Sequence, residues 1–137
     1  MTLFGALHVA TQKFYWMQAE KGNSRLFIQF LRQLHQAHPN KTLLLILDNG
    51  PIHKSKRIIK FLAEHDWVKL YFLPSYSPEY NPIELFWKWL KKFIHGTRAY
   101  ASIAELLKKI RQVVWHYNEK WLLNTIKFQM KSYADLL

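Results

Sequence analysis

The chain reads as an α/β protein, a mixed β-sheet with helices packed on it. Three observations predict this. Leu43-Leu44-Leu45-Ile46-Leu47 is an unbroken apolar run that stops at Asp48-Asn49-Gly50, the pattern of a strand buried on both faces in the middle of a sheet. Segments with helical periodicity alternate with extended ones, giving the order β, β, α, β, α, β, α, α, α. Finally, 137 residues of which 50% are hydrophobic and 16% aromatic suffice for one domain with a real core.

Taken in order, Thr2 to Thr11 and Lys13 to Ala19 are rich in β-branched, aromatic and apolar residues, separated by a short polar break at Gln12. They predict two antiparallel strands in a hairpin. Lys21-Gly22-Asn23-Ser24 is a turn that supplies a helix cap. From there to Ala37, Leu26, Phe27, Phe30, Leu31 and Leu34 recur at helical spacing, and His38-Pro39-Asn40 ends the helix. After the central strand, Ser55 to His65 predicts a second helix with Ile58, Ile59 and Leu62 as its apolar stripe. Val68 to Leu73 is a further strand, and Pro74 to Pro82 a loop of Pro, Ser, Tyr and Asn. A third helix runs from Pro82 to Ile94, and Gly96-Thr97-Arg98 breaks it. Ser102 opens a fourth to Tyr117, with Glu105 as its capping-box partner, and Trp121 to Leu137 predicts one more. The two αβ units predict right-handed crossovers that set strands parallel.

Charge narrows the function classes. Twenty Lys and Arg against nine Asp and Glu give a formal net charge of +11, which points to a polyanionic partner, nucleic acid before membrane. No apolar run approaches the roughly 18–20 residues of a membrane span, and the N-terminus lacks the pattern of a signal peptide. Cysteine is absent, which excludes disulfides and thiolate metal sites and fits a cytosolic location.

Two carboxylates carry the candidate chemistry. Asp48 stands at the carboxyl end of the central strand, where ligands of α/β sheets gather. Alone, it is equally read as a strand terminator, or as part of an Asn-Gly hairpin turn. Glu84 alone reads as helix-start chemistry, with Asn81 at the cap, Pro82 first and Glu84 third. As a pair they change meaning: two carboxylates brought to one sheet edge suit Mg²⁺ or Mn²⁺, and two such ions about 3.5–4 Å apart clamp the oxygens of a phosphodiester. Lys88 and Lys91 share a helix face with Glu84, and Lys54, Lys56 and Arg57 follow Asp48. All five are candidate DNA-backbone contacts, with a plain solvated surface as the alternative.

The stretch Leu47-Asp48-Asn49-Gly50-Pro51-Ile52-His53-Lys54-Ser55, joined to Leu73-Pro74-Ser75-Tyr76-Ser77-Pro78-Glu79-Tyr80-Asn81-Pro82-Ile83-Glu84, resembles the second half of a DDE transposase catalytic domain of the insertion-sequence and Tc-mariner superfamily. Between Asp48 and Glu84 lie 35 residues, the spacing of that family's second and third acids. The opening strand Leu3-Phe4-Gly5-Ala6-Leu7 is also similar. The resemblance implies a ribonuclease H-like mixed sheet flanked by helices, and three carboxylates binding two Mg²⁺ (or Mn²⁺) ions that nick DNA and join strands. It places Asp48 as second acid and Glu84 as third, both metal ligands, with Asn49, His53 and Asn81 as accessory positions. His53 is expected to orient Asp48 or reach a phosphate, or else to stabilise the turn.

One departure shapes the expectation. Residues 1–19 contain no acid, and Glu20 falls after both opening strands, so the family's first Asp and the strand bearing it have no counterpart here. The chain is therefore expected to be a single truncated catalytic domain missing its first strand, inactive alone and binding metal weakly. The gap is expected to be filled by a swapped dimer, a homodimer partner or an upstream polypeptide. The expected substrate is double-stranded DNA at transposon ends. The alternative is a non-catalytic basic remnant that binds DNA or dimerises.

Overall fold

The structure is a computed structural model in which residues 2–48, 51–73, 82–94 and 100–121 are described. Its elements are β1 (Thr2–Leu7), β2 (Phe14–Ala19), α1 (Ser24–Ala37), β3 (Leu43–Leu47), a 3₁₀ turn (Pro51–Lys54), α2 (Lys56–Glu64), β4 (Val68–Phe72), α3 (Pro82–Ile94), α4 (Ile103–His116) and a π-helical turn (Tyr117–Trp121). Apart from Trp121, the last residue of that turn, the helix expected over 121–137 lies outside the described residues. So do Asn49 and Asn81, the loop 74–81 and the break at 96–98.

The chain divides into two compact units. One comprises Met1–Gly5 with Tyr15–Asn81, the other Ala6–Phe14 with Pro82–Leu137. In the first, α1 is amphipathic and buries Phe27, Phe30, Leu31 and Leu34. Its cap is Asn23, whose side-chain oxygen accepts from Leu26 N at 2.9 Å, satisfying one of the donors a helix start leaves free. Helix α2 is capped by Ser55 and contributes Ile58 and Phe61. These join Phe27, Leu31 and Val68 in one core, against which Phe4 of β1 and Leu43, Leu45 and Leu47 of β3 pack. Phe4 meets Phe27 and Phe30 with ring centroids 5.9 and 6.0 Å apart. Helix α1 is thus the common floor for strands of both pairs.

Strand β3 runs parallel to β4, Leu43 opposite Val68 through Leu47 opposite Phe72. The connection is α2, so Asn49-Gly50 does not close a hairpin between these strands.

Two expectations change here. One mixed sheet was expected, but among the described residues β1 pairs only with β2, and β3 only with β4. Among the described residues no strand bridges the pairs, and none lies beside β3 on the side away from β4. Burial on both faces of β3 was also expected. Leu43, Leu45 and Leu47 do turn to the helices, but Leu44, in register with Lys69, is 62% exposed. Strand alternation sends it to the other face.

In the second unit, Phe14, Phe86, Leu90, Ile94, Ile110, Val113, Val114 and Tyr117 are buried. Phe86 stacks on Phe14 at 3.9 Å and meets Tyr117 edge-on at 4.9 Å. Ser102 caps α4, its Oγ accepting from Glu105 N at 3.2 Å, and the Glu105 carboxylate reaches one residue beyond the cap to accept from Ala101 N at 2.9 Å. The π turn anchors the hairpin. Tyr117 OH donates to the Gln12 carbonyl at 2.6 Å. Asn118 accepts from Phe14 N at 2.9 Å and donates to Phe14 O at 3.0 Å, as a neighbouring strand would. Gln12 sits at φ 63°, the left-handed conformation that the tight reversal requires.

Burial pushes the Tyr117 phenol up to about 12. An unfolded Tyr ionises near pH ~10, so the buried neutral phenol stabilises the fold fully below that pH. The contribution is lost as pH rises from about 10 through 12. Denaturant melts at pH 8 and pH 11 are expected to show a larger fall in midpoint for the native chain than for Tyr117→Phe. Equal falls would show that this phenol does not sense pH.

Candidate functional site

Asp48 is the first residue past β3, and its side chain is 68% exposed. The strand is held in place at this end by Leu73 N, which donates to the Leu47 carbonyl at 2.8 Å. The 3₁₀ turn then folds back and carries His53 to Asp48, with Nε2 3.5 Å from Oδ1. That is long for a hydrogen bond, and the contact is chiefly electrostatic. The imidazole is 16% exposed and lies on Phe27, ring centroids 4.7 Å apart. Its Nδ1 is buried without a hydrogen-bond partner among the described residues.

Burial lowers the pKa of His53, and the neighbouring Asp48 carboxylate opposes this only in part. A neutral ring facing a carboxylate places its proton on Nε2, which leaves Nδ1 as the unprotonated, unpartnered nitrogen. His53 therefore stands beside Asp48 as a polar neighbour. The Asp48 side chain stays largely open to solvent, as a ligand of a hard cation must.

Lys54, Lys56 and Arg57 are exposed beside this end of the sheet. Lys54 Nζ lies 5.1 Å from the ring centroid of Phe72, the residue paired with Leu47. This cation–π contact holds the ammonium beside the end of β3. Sequence reasoning passed over Phe72 because it reads as one more apolar residue of Val68 to Leu73. Counting the parallel register from Val68 would have placed it level with the residue before Asp48.

Glu84 lies in the first turn of α3 and is exposed, as are Lys88 and Lys91. Asp48 belongs to the first compact unit and Glu84 to the second. Asn49 and Asn81 lie outside the described residues. Among the described residues no three His, Asp or Glu side chains gather as a metal centre would require, and no helix is long and apolar enough to cross a membrane.

The structure thus brings Asp48, His53, Lys54 and Phe72 together, and presents Glu84, Lys88 and Lys91 on one helix. Comparison with known proteins gives this arrangement a family. The "Insertion element IS630 uncharacterized 39 kDa protein" of Shigella sonnei is 36% identical over 110 residues, which cover 80% of this chain and 32% of that protein. The chain accordingly spans about a third of that relative's length. The sequence pattern described as "DDE superfamily endonuclease" matches residues 1–107, a stretch that includes β1 through the start of α4 and both candidate acids. The chain belongs to the DDE superfamily endonucleases.

Proposed function

We propose that this chain is part of a transposase catalytic domain that cuts and joins double-stranded DNA at transposon ends. In this reading it carries the second and third of three acids on a ribonuclease H-like fold. Asp48 and Glu84 hold divalent metal ions, and His53 orients Asp48. The first acid, with the strand that bears it, comes from polypeptide outside residues 1–137. The observation that carries the reading is the solvent-open Asp48 side chain at the end of β3, with His53 Nε2 3.5 Å from it, inside a family match that also contains Glu84.

The donors fit Mg²⁺ or Mn²⁺ in kind, since both are carboxylates, but among the described residues they fall short in number. Bound metal would supply a low-pKa water and neutralise the leaving oxygen. The chain's own residues supply the rest. Lys54, Lys56 and Arg57 on one unit, and Lys88 and Lys91 on the other, neutralise phosphates. Phe72 keeps Lys54 beside Asp48. Among the described residues β3 has a strand partner on one side only, which supports the idea of an incoming strand, because such an edge pairs readily with an added one.

A second reading, a non-catalytic DNA-binding or dimerisation module, is favoured by the absence of any acid in residues 1–19. Supercoiled plasmid and Mn²⁺ separate the two. The chain alone is expected to leave the plasmid intact, whereas adding a polypeptide with an Asp-bearing strand yields nicked circles. Robust nicking by the chain alone, lost in Asp48→Asn, would overturn the need for a third acid. DNA binding with no metal-dependent cutting in the complemented mixture would favour the binding module.

A further inference from the structure

Helix α4 buries Ile110, Val113 and Val114 and turns its opposite side to solvent. Along that side Ala104, Lys108, Arg111, Gln112 and Trp115 are all exposed. Their spacings of three and four residues put them on one stripe. Trp115 is 54% exposed, in a unit that buries Tyr117 and Phe86 completely. It is therefore no displaced core residue, since α4 fills its core positions with others. The indole has the His116 ring edge-on at 5.1 Å, which restricts its orientation. Arg111 lies one turn before it, about 6 Å along the axis, and Lys108 lies a further turn back.

We propose that this stripe binds an unpaired nucleotide, the base stacking on Trp115 and the flanking phosphates lying on Arg111 and Lys108. An aromatic face with cations in line is the chemistry that holds single-stranded nucleic acid without regard to sequence. The net charge of +11 favours a polyanion over an acid-poor protein surface. The inference rests on the reading that the chain acts on DNA, and it adds a site remote in sequence from both acids. It gives the protein a means of holding a base that leaves the stack near a cut end.

The test uses the full chain and three labelled oligonucleotides: a perfect duplex, the same duplex with one unpaired base, and the single strand. Anisotropy is expected to show Trp115→Ala weakening the unpaired and single-stranded complexes about tenfold, with the perfect duplex unchanged. Trp115→Phe should recover most of the loss. A 2-aminopurine at the unpaired position should be quenched by the native chain but not by Trp115→Ala. Because Trp115 is exposed, the melting temperature of each variant should match the native one.

Equal loss on paired and unpaired DNA, or no loss on either, overturns the stacking site while leaving DNA as the substrate. A change of oligomeric mass in Trp115→Ala overturns it in favour of a contact between copies. Failure of the native chain to bind any of the three DNAs overturns both this inference and the proposed function.

Discussion

Asp48→Asn is expected to reduce metal-dependent nicking by the complemented assembly about a thousandfold, while leaving duplex binding nearly unchanged. The amide keeps the size and shape of the carboxylate but gives up the charge that a hard cation requires. Loss of one acidic metal ligand removes several kcal/mol of charge stabilisation. About 4 kcal/mol corresponds to roughly a thousandfold in rate. Binding should hold because Lys54, Lys56 and Arg57 stay in place, and removing a negative charge from a basic surface does not weaken a polyanion's grip. His53→Gln separates positioning from ligation. It keeps a donor for Asp48 but loses the packing on Phe27, so its effect should be far smaller than that of Asp48→Asn. A plasmid-nicking time course beside an anisotropy titration reads both quantities. Equal loss of binding and nicking would make Asp48 a structural strand terminator.

Phe86→Ala is expected to cost about 3–5 kcal/mol, the range for truncating a fully buried Phe. The ring is 0% exposed and touches Phe14, Trp87, Trp89 and Tyr117. Its removal takes away the ring by which α3 packs on Phe14 and Tyr117. Hydrogen exchange should show the loss concentrated in the second unit. The Phe14 amide, bonded to Asn118, should lose protection along with α3 and α4. A loss spread evenly over both units would show that they unfold as one.

The sequence made the elements legible because each is specified locally. Asn23 and Ser102 are cap residues, Phe27, Phe30, Leu31 and Leu34 form a helical stripe, and the run to Leu47 stops at Asp48. Boundaries moved by a few residues, as with β1, which ends at Leu7. Six residues, 8–13, follow it before β2, within a reversal that the positive φ of Gln12 tightens.

What the sequence did not reveal depends on partners distant in the chain. Tyr117 reads only as the end of the fourth helix, yet it and Asn118 hold Gln12 and Phe14, more than a hundred residues away. The exposure of Leu44 was hidden because an unbroken apolar run carries no alternation to show which face is covered. The pairing of Lys54 with Phe72 likewise depends on register, which composition does not encode. Asp48 and His53 were legible as neighbours because a short turn separates them. Glu84 was legible only as a family position, since its local sequence is also that of an ordinary helix start.

In the proposed function, Asp48 and Glu84 are two ligands of a metal site completed by an acid from outside residues 1–137. Mn²⁺ titration followed by electron paramagnetic resonance tests it most directly, on the chain alone and with the Asp-bearing polypeptide added. The account predicts weak binding by the chain alone and two tightly held ions in the complemented assembly, lost on Asp48→Asn and on Glu84→Gln separately. Tight binding that survives either substitution, or that is no stronger after complementation, would contradict it.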